Sequence, residues 1–176
     1  MKCDFDTPRL QARALVNRIE DDKFLNHLAA KILEILSPSV TKTLPDGWQN
    51  ILTIEQGRTW ILERNQESHF ITVELIESKE LIGFIFLYEP DKQQHEDLEL
   101  RFGYLISEHF WGRGLGTELV QGLIHWSKAQ EGFSSISAGV EKENIASIKV
   151  MEKAGFISSK EETPDPGVVF YQKILK

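Results

Sequence analysis

Residues 111–118 read WGRGLGTE, with Gly112, Gly114 and Gly116 at every second position and Arg113 between the first two. Glycines spaced in this way leave the backbone bare of Cβ atoms, so successive N–H groups can approach a ligand closely. A run rich in Leu, Val and Ile follows at once, which predicts a helix whose unpaired N–H groups and positive end add to the same site. Together these features suit an anion, most naturally a phosphate. A strand-to-helix turn that needs positive φ and holds nothing accounts for the spacing equally well. Two nucleotide fingerprints do not fit. A dinucleotide-binding turn would place its third glycine where Thr117 stands, want an acidic residue about 20 positions on and sit in an opening βαβ unit. A P-loop needs Gly-Lys followed by Ser or Thr, a triplet absent from the chain. Another pyrophosphate carrier is the better match.

The turn must be positioned by its neighbours. LELRFGYLI, residues 98–106, reads as the strand that leads to it, and Leu115, Leu119, Leu123, Ile124 and Trp126 form the apolar face of the helix that leaves it. Upstream, Leu10, Ala12 and Ala14 alternate with polar residues as a first strand. Glu20, Asp21 and Asp22 open a helix carrying Leu25, Leu28, Ala29, Ile32, Leu33 and Leu36, which Ser37 and Pro38 end. SPSVTKTLPDGW, residues 37–48, is loop-like, and Thr53 with Gln56 predicts a capping box for a second helix through Trp60, Ile61 and Leu62. HFITVELI (69–76) and ELIGFIFLYE (80–89) form a hairpin. Downstream, FSSISAGV (133–140) is a strand, NIASIKVMEKAGF (144–156) a helix ended by Gly155, and VVFYQKIL (168–175) a closing strand. The sum is a mixed α/β fold.

With 176 residues and 41% hydrophobic content, one domain with one core is expected. The 27 acidic residues against 20 basic ones give a net charge of -7, which argues against nucleic acid as a partner and suits a cationic or amine-bearing one. Cys3 is the only cysteine and the five histidines show no metal spacing, so neither a disulfide framework nor a metal site is expected, and a reducing cytoplasm fits. No apolar run approaches the roughly 18 residues a membrane span needs, and MKCDFDTPRL lacks the apolar core of a signal peptide. A soluble cytoplasmic protein without a membrane partner is the expectation. Oligomeric state is not legible, and a homodimer stays open.

The order of strand LRFGYLI, turn WGRGLGTE, apolar helix, strand SISAGV and then NIASIKVMEKAGF resembles the GNAT superfamily of acetyl-CoA-dependent N-acetyltransferases. Gly114 and Gly116 fill the glycine places of that family's Gln/Arg-x-x-Gly-x-Gly/Ala turn, while Trp111 stands where Gln or Arg is commonest. That departure, FGY before it, and TPRLQAR (Thr7 to Arg13) near the start are similar to the branch of ribosomal-protein N-terminal acetyltransferases. The resemblance implies one GNAT domain over residues 7–176, with a mostly antiparallel mixed sheet splayed between its fourth and fifth strands and flanked by about four helices. It further implies that the backbone N–H groups of Gly112 to Thr117, across Gly114, Leu115 and Gly116, hold the pyrophosphate of acetyl-CoA with Arg113 beside it. Gly103, Tyr104, Leu105 and Ile106 would line the pantetheine, and Asn144 and Ser147 would reach the cofactor from the next helix. Asn144 as an N-cap and Ser147 as a small N3 residue are the structural alternatives.

Attack on a thioester needs a neutral amine, a proton acceptor and donors for the oxyanion. At pH 7 about one α-amine in ten is neutral, against on the order of one lysine side chain in 2,500, so an α-amine needs the weaker base. Glu99, on the strand face of Arg101 and Gly103, is the candidate base, and a solvated carboxylate in the acidic run EDLE is its alternative. Glu108 and His109 are reserves. The oxyanion would fall to a backbone N–H near Leu105 or Ile106. Many GNAT enzymes protonate the departing thiolate with a tyrosine where this chain has Met151, which leaves Ser147 or water as donor. Glu96, Asp97, Glu99 and Glu108 would draw a cationic peptide to the cleft. The expected acceptor is a primary amine, first a protein or peptide N-terminus, with small amines and a non-catalytic CoA-binding module as alternatives.

Overall fold

The period-two runs pair into one sheet. The computed structural model describes residues 2–15, 18–88, 98–159 and 165–175. Its strands are β1 (Phe5–Asp6), β2 (Leu10–Ala14), β3 (His69–Leu75), β4 (Leu81–Tyr88), β5 (Leu98–Ile106), β6 (Phe133–Glu141), β7 (Ile157–Ser158) and β8 (Val168–Ile174), in the order β1-β2-β3-β4-β5-β6-β8-β7. All neighbours are antiparallel except β5 and β6. The helices are α1 (Asp22–Ile35), α2 (Pro38–Thr41), α3 (Ile54–Glu67), α4 (Leu115–Lys128) and α5 (Ile145–Lys153).

Local chemistry accounts for the helix starts. Asp21 accepts from the N–H groups of Lys23 and Phe24, and Thr53 and Gln56 close the reciprocal capping box. Two features depart from the sequence reading. The stretch expected to be loop at 37–48 contains α2, because Pro38 occupies the first helical position and the Ser37 carbonyl accepts from the Thr41 N–H. The two-residue strands β1 and β7 are too short to show a period. β1 is held by its pairing with β2 and by Arg13, which donates to the Phe5 carbonyl at 3.0 Å and pairs with Asp6 at 2.7 Å.

Alternation along β5 divides its side chains between two cores. Leu100, Phe102 and Ile106 pack with Leu115, Leu119, Leu123 and Met151 on the α4 and α5 face. Leu105 joins Ile32, Trp60, Phe70, Phe84 and Phe86 on the α1 and α3 face. The parallel pairing of β5 with β6 runs from Leu98↔Phe133 to Arg101↔Ser137 and stops, while β6 continues against β8 as far as Glu141↔Val168. From Phe102 to Ile106 the β6-facing edge of β5 is therefore open. This is the expected splay; β1 adds one to the strand count and moves it to β5 and β6.

Candidate active site

The open edge of β5 leads through a short 3-10 turn, Glu108–Phe110, to the glycine turn. Gly112 has φ 74° and Gly114 φ 76°, and Arg113 between them lies outside the left-handed region. Alternating φ signs turn successive N–H groups toward a common point, which makes an anion-binding nest. Gly114 is also the N-cap of α4, so the helix's unpaired donors continue the array. Gly116 serves packing instead, because a Cβ there would lie 3.3 Å from Val150 Cγ2 and 3.7 Å from Tyr104 Cε2. Buried Leu115 anchors the first turn of α4 in the core.

These groups open into a cleft of about 500 Å³. Its walls are the end of β5 (Tyr104, Leu105, Ile106), the turn (Gly112, Gly114, Leu115, Gly116, Thr117), α5 with its cap (Asn144, Ser147, Val150), and Val40, Lys42, Thr43 and Leu44 in and just after α2. The Ser107 N–H donates to the Ile82 carbonyl at 2.8 Å. By the alternation of an antiparallel ladder, the main-chain groups of Leu105 and Gly103 also face β4, whereas those of Phe102, Tyr104 and Ile106 face the splay. Of the two oxyanion donors expected, Ile106 directs its N–H to the cleft and Leu105 does not. The Ile106 carbonyl is taken by the indole of Trp111, which donates from Nε1 at 2.7 Å.

All the residues expected around the cofactor line this cleft except Arg113 and Gly103. The exposed Arg113 side chain lies over the Phe110 ring at 5.1 Å, so it offers the turn its backbone alone. Asn144 caps α5, its Oδ1 accepting from the Ser147 N–H at 3.1 Å, and it also borders the cleft. The Tyr104 hydroxyl donates to Ser147 Oγ at 3.5 Å. Burial outweighs that contact and raises the phenol above its usual pKa, so it stays protonated. Met151 is wholly buried in the core.

Glu99 lies away from the cleft walls, on the sheet face opposite to Tyr104. Its Oε1 accepts from Ser137 Oγ at 2.8 Å and Arg101 Nε at 3.2 Å, and its Oε2 from Gln172 Nε2 at 2.6 Å. Partial burial pushes the carboxyl up, but the three donors and the Arg101 charge outweigh it and hold Glu99 below the usual carboxylate range. It sits beside the point where β5 and β6 part, with a space beyond it: a Cβ on Gly103 would meet nothing within 4 Å. Glu108 and His109 border the glycine turn without lining the cleft. Glu96 and Asp97 lie outside the described residues.

Three contributors escaped the sequence reading. Exposed Lys42, Lys149 and Lys153 stand at the cleft wall with Glu143, which leaves the lining net positive in a chain of net charge -7. The link from Tyr104 to Ser147 is the second, although the parity of Tyr104 with Leu100 and Phe102 already turns it toward the helix side. The N-terminal segment reaches the turn through Arg9, whose Nη1 donates to the Arg113 carbonyl at 3.0 Å. Among the described residues no group of three or more His, Cys, Asp or Glu is arranged to hold a metal ion, and no helix is long and apolar enough to cross a membrane.

Comparison with known proteins places this geometry. The probable N-acetyltransferase YjcK of Bacillus subtilis is 31% identical over 112 residues, 63% of this chain and 58% of YjcK. The uncharacterized N-acetyltransferase YjdG of the same organism is 35% identical over 75 residues, 43% of this chain and 42% of YjdG. The chain thus spans less than two thirds of the length of these curated relatives. Among solved structures, a GNAT-family acetyltransferase from Bacillus anthracis superposes with a TM-score of 0.71 at 20% identity, covering 98% of this chain and 99% of its own. RimL, a ribosomal L7/L12 alpha-N-protein acetyltransferase in complex with coenzyme A, superposes with a TM-score of 0.72 at 17% identity, covering 98% of each chain. The ribosomal-protein-S5-alanine acetyltransferase of Vibrio fischeri gives 0.64 at 17%, covering 98% of this chain and 96% of its own. At these identities the superpositions show the fold. The family model of the acetyltransferase (GNAT) domain matches residues 13–157, most of the chain, and with the splayed sheet and the glycine nest it settles the identity: this chain belongs to the GNAT acetyltransferase family.

Proposed function

We propose that the protein transfers the acetyl group of acetyl-CoA directly to a primary amine, and that the amine is the N-terminal α-amine of a protein, such as a ribosomal protein. The observation that carries the first part is the continuity of one cleft, from the Gly112–Gly114 nest along the open edge of β5. A pyrophosphate suits the nest and the lysines beside it. A pantetheine arm suits a strand edge whose Tyr104 and Ile106 amides lack a partner strand. Acetyl-CoA supplies the activated acyl group. The chain's residues then have to orient the amine, take its proton and cover the thiolate.

Ile106 offers its N–H to the developing oxyanion. The Tyr104 phenol, kept protonated by burial and joined to Ser147, donates a proton to the leaving sulfur. Glu99 takes the amine proton through water across the space above Gly103. A carboxylate held below its usual pKa is a weak base, which favours an α-amine, about one in ten of which is already neutral at pH 7, over a lysine side chain. Two solved structures of matching fold are described as ribosomal-protein acetyltransferases, and the Thr7–Arg13 segment resembles the opening of that branch. Acetyl-CoA-dependent thiol release would be measured on peptides with free N-termini, the same peptides blocked at the α-amine, lysine-only peptides and polyamines. Turnover confined to free N-termini is expected. Turnover on polyamines alone would overturn the acceptor, and acetyl-CoA bound without turnover on any of them would overturn the catalytic reading.

A further inference from the structure

The cleft accounts for the glycine turn but leaves the TPR segment near the start of the chain without a task. We propose that Arg9, fixed by Glu118 and Thr7, is a positioning residue of the coenzyme site, one that sets the peptide plane between Arg113 and Gly114 so that the Gly114 N–H faces the pyrophosphate. This rests on the acetyl-CoA reading above.

Glu118 lies in the first turn of α4, and the segment 7–9 converges on its carboxylate from more than a hundred residues away. Its Oε1 accepts from Thr7 Oγ1 at 2.6 Å and from the Arg9 backbone N–H at 2.8 Å, and its Oε2 accepts from Arg9 Nε at 2.6 Å and pairs with Arg9 Nη2 at 2.6 Å. Four donors fill one carboxylate whose side chain is only 15% exposed, and they outweigh its partial burial to keep it ionised. The guanidinium, a rigid planar fork, is thereby aimed, and its remaining Nη1 donates to the Arg113 carbonyl at 3.0 Å.

A trans peptide unit points its carbonyl and the following N–H in opposite directions. Holding the Arg113 carbonyl toward Arg9 therefore turns the Gly114 N–H away from Arg9 and toward the cleft that Gly114 lines. Glycine is free to let this plane flip, so the turn needs an outside constraint to keep it loaded. The approach of the segment is itself built in, because a Cβ on Gly122 of α4 would lie 2.6 Å from Thr7 Cγ2 and 2.7 Å from Phe5 Cε2. A purely structural pair would need only the bonds to Glu118; the further bond from Arg9 Nη1 to the Arg113 carbonyl is what it would not need.

The test compares acetyl-CoA with S-acetylpantetheine, which lacks the pyrophosphate, on the full chain and on Arg9→Ala and Arg9→Lys. Arg9→Ala is expected to weaken acetyl-CoA about tenfold in KM, leave kcat within twofold and leave S-acetylpantetheine unchanged, with Arg9→Lys in between because one ammonium cannot bridge both partners. Equal loss for both ligands, or none for acetyl-CoA, would overturn the proposal. In the ligand-free protein, the amide resonances of Gly112 to Leu115 are expected to broaden or shift in Arg9→Ala as the plane between Arg113 and Gly114 is released. If the wild type binds no acetyl-CoA, the acetyltransferase reading fails on its own, and unchanged resonances at those amides then sink the clamp separately.

Discussion

Replacing Gly112 with alanine isolates the conformational demand of the glycine turn. Gly112 has φ 74°, and a Cβ there would meet nothing within 4 Å, so the substitution adds no clash. What remains is the cost of a left-handed conformation for an L-residue, about 1–2 kcal/mol. That cost can be borne in two ways. If the ligand-free turn keeps its shape, stability falls by the whole amount, which for a chain of this size is a Tm decrease of roughly 2–8 °C, with affinity unchanged. If the ligand-free turn relaxes to negative φ, stability is untouched and acetyl-CoA must restore the nest, so affinity falls roughly 5- to 30-fold. Intermediate behaviour divides the same total, so the losses in folding and binding free energy should sum to about 1–2 kcal/mol. Calorimetric unfolding and titration with acetyl-CoA measure the two parts. Gly47→Ala is the control, since Gly47 has neither positive φ nor a neighbour within 4 Å of a Cβ. No change in either quantity, or a binding loss far beyond 30-fold at unchanged stability, would refute the nest.

Glu99→Gln should lower kcat/KM on free-N-terminus peptides about 100-fold, the low end for a general base, with acetyl-CoA affinity unchanged. Because Glu99 is held below its usual range, the acid limb of the wild-type profile should follow the amine and show no inflection near the ordinary carboxylate value. Tyr104→Phe should lower kcat about tenfold at constant KM, a modest effect because a thiol of pKa near 8.5 leaves readily, and Ser147→Ala should cost less; the reverse order in single-turnover assays would make Ser147 the donor. Glu118 has a folded pKa below its ordinary 4.5, so its stabilisation is present above that value and lost as pH falls through the lower one; acid unfolding of Glu118→Gln should show a shallower pH dependence. Burial pushes the Cys3 thiol from 9.0 up to about 12. That contribution to stability is whole below pH 9 and lost as pH rises toward 12, and thiol-reactive dye should label the native protein only as fast as it unfolds.

Periodicity and capping chemistry are local, which is why so much of the fold could be read along the chain. Strand β5 has the bounds its alternation implied, the Thr53–Gln56 box closes as its spacing required, and the apolar face of α4 is the one its repeat named. The glycine turn announced itself because backbone freedom is written in residue type. Its helix α4, its place after β5 and the Asn144 cap needed no knowledge of distant contacts.

What only the tertiary structure decided are relations across the sheet. Tyr104 becomes the partner of Ser147 because β5 and α5 cross there, 43 positions apart in sequence. Glu99 is tied to Ser137 and Gln172 because β6 and β8 lie beside it, and those donors, absent from its own neighbourhood in the chain, set its pKa. Arg9 reaches the glycine turn 104 positions away because β1 and β2 pack across α4, at the position where Gly122 lacks a side chain. Which segments can be strand, helix or tight glycine turn depends on each residue and its near neighbours, and so is legible along the chain. Which side chains share a face, an edge or a proton depends on long-range pairing, and that is fixed only when the whole sheet closes.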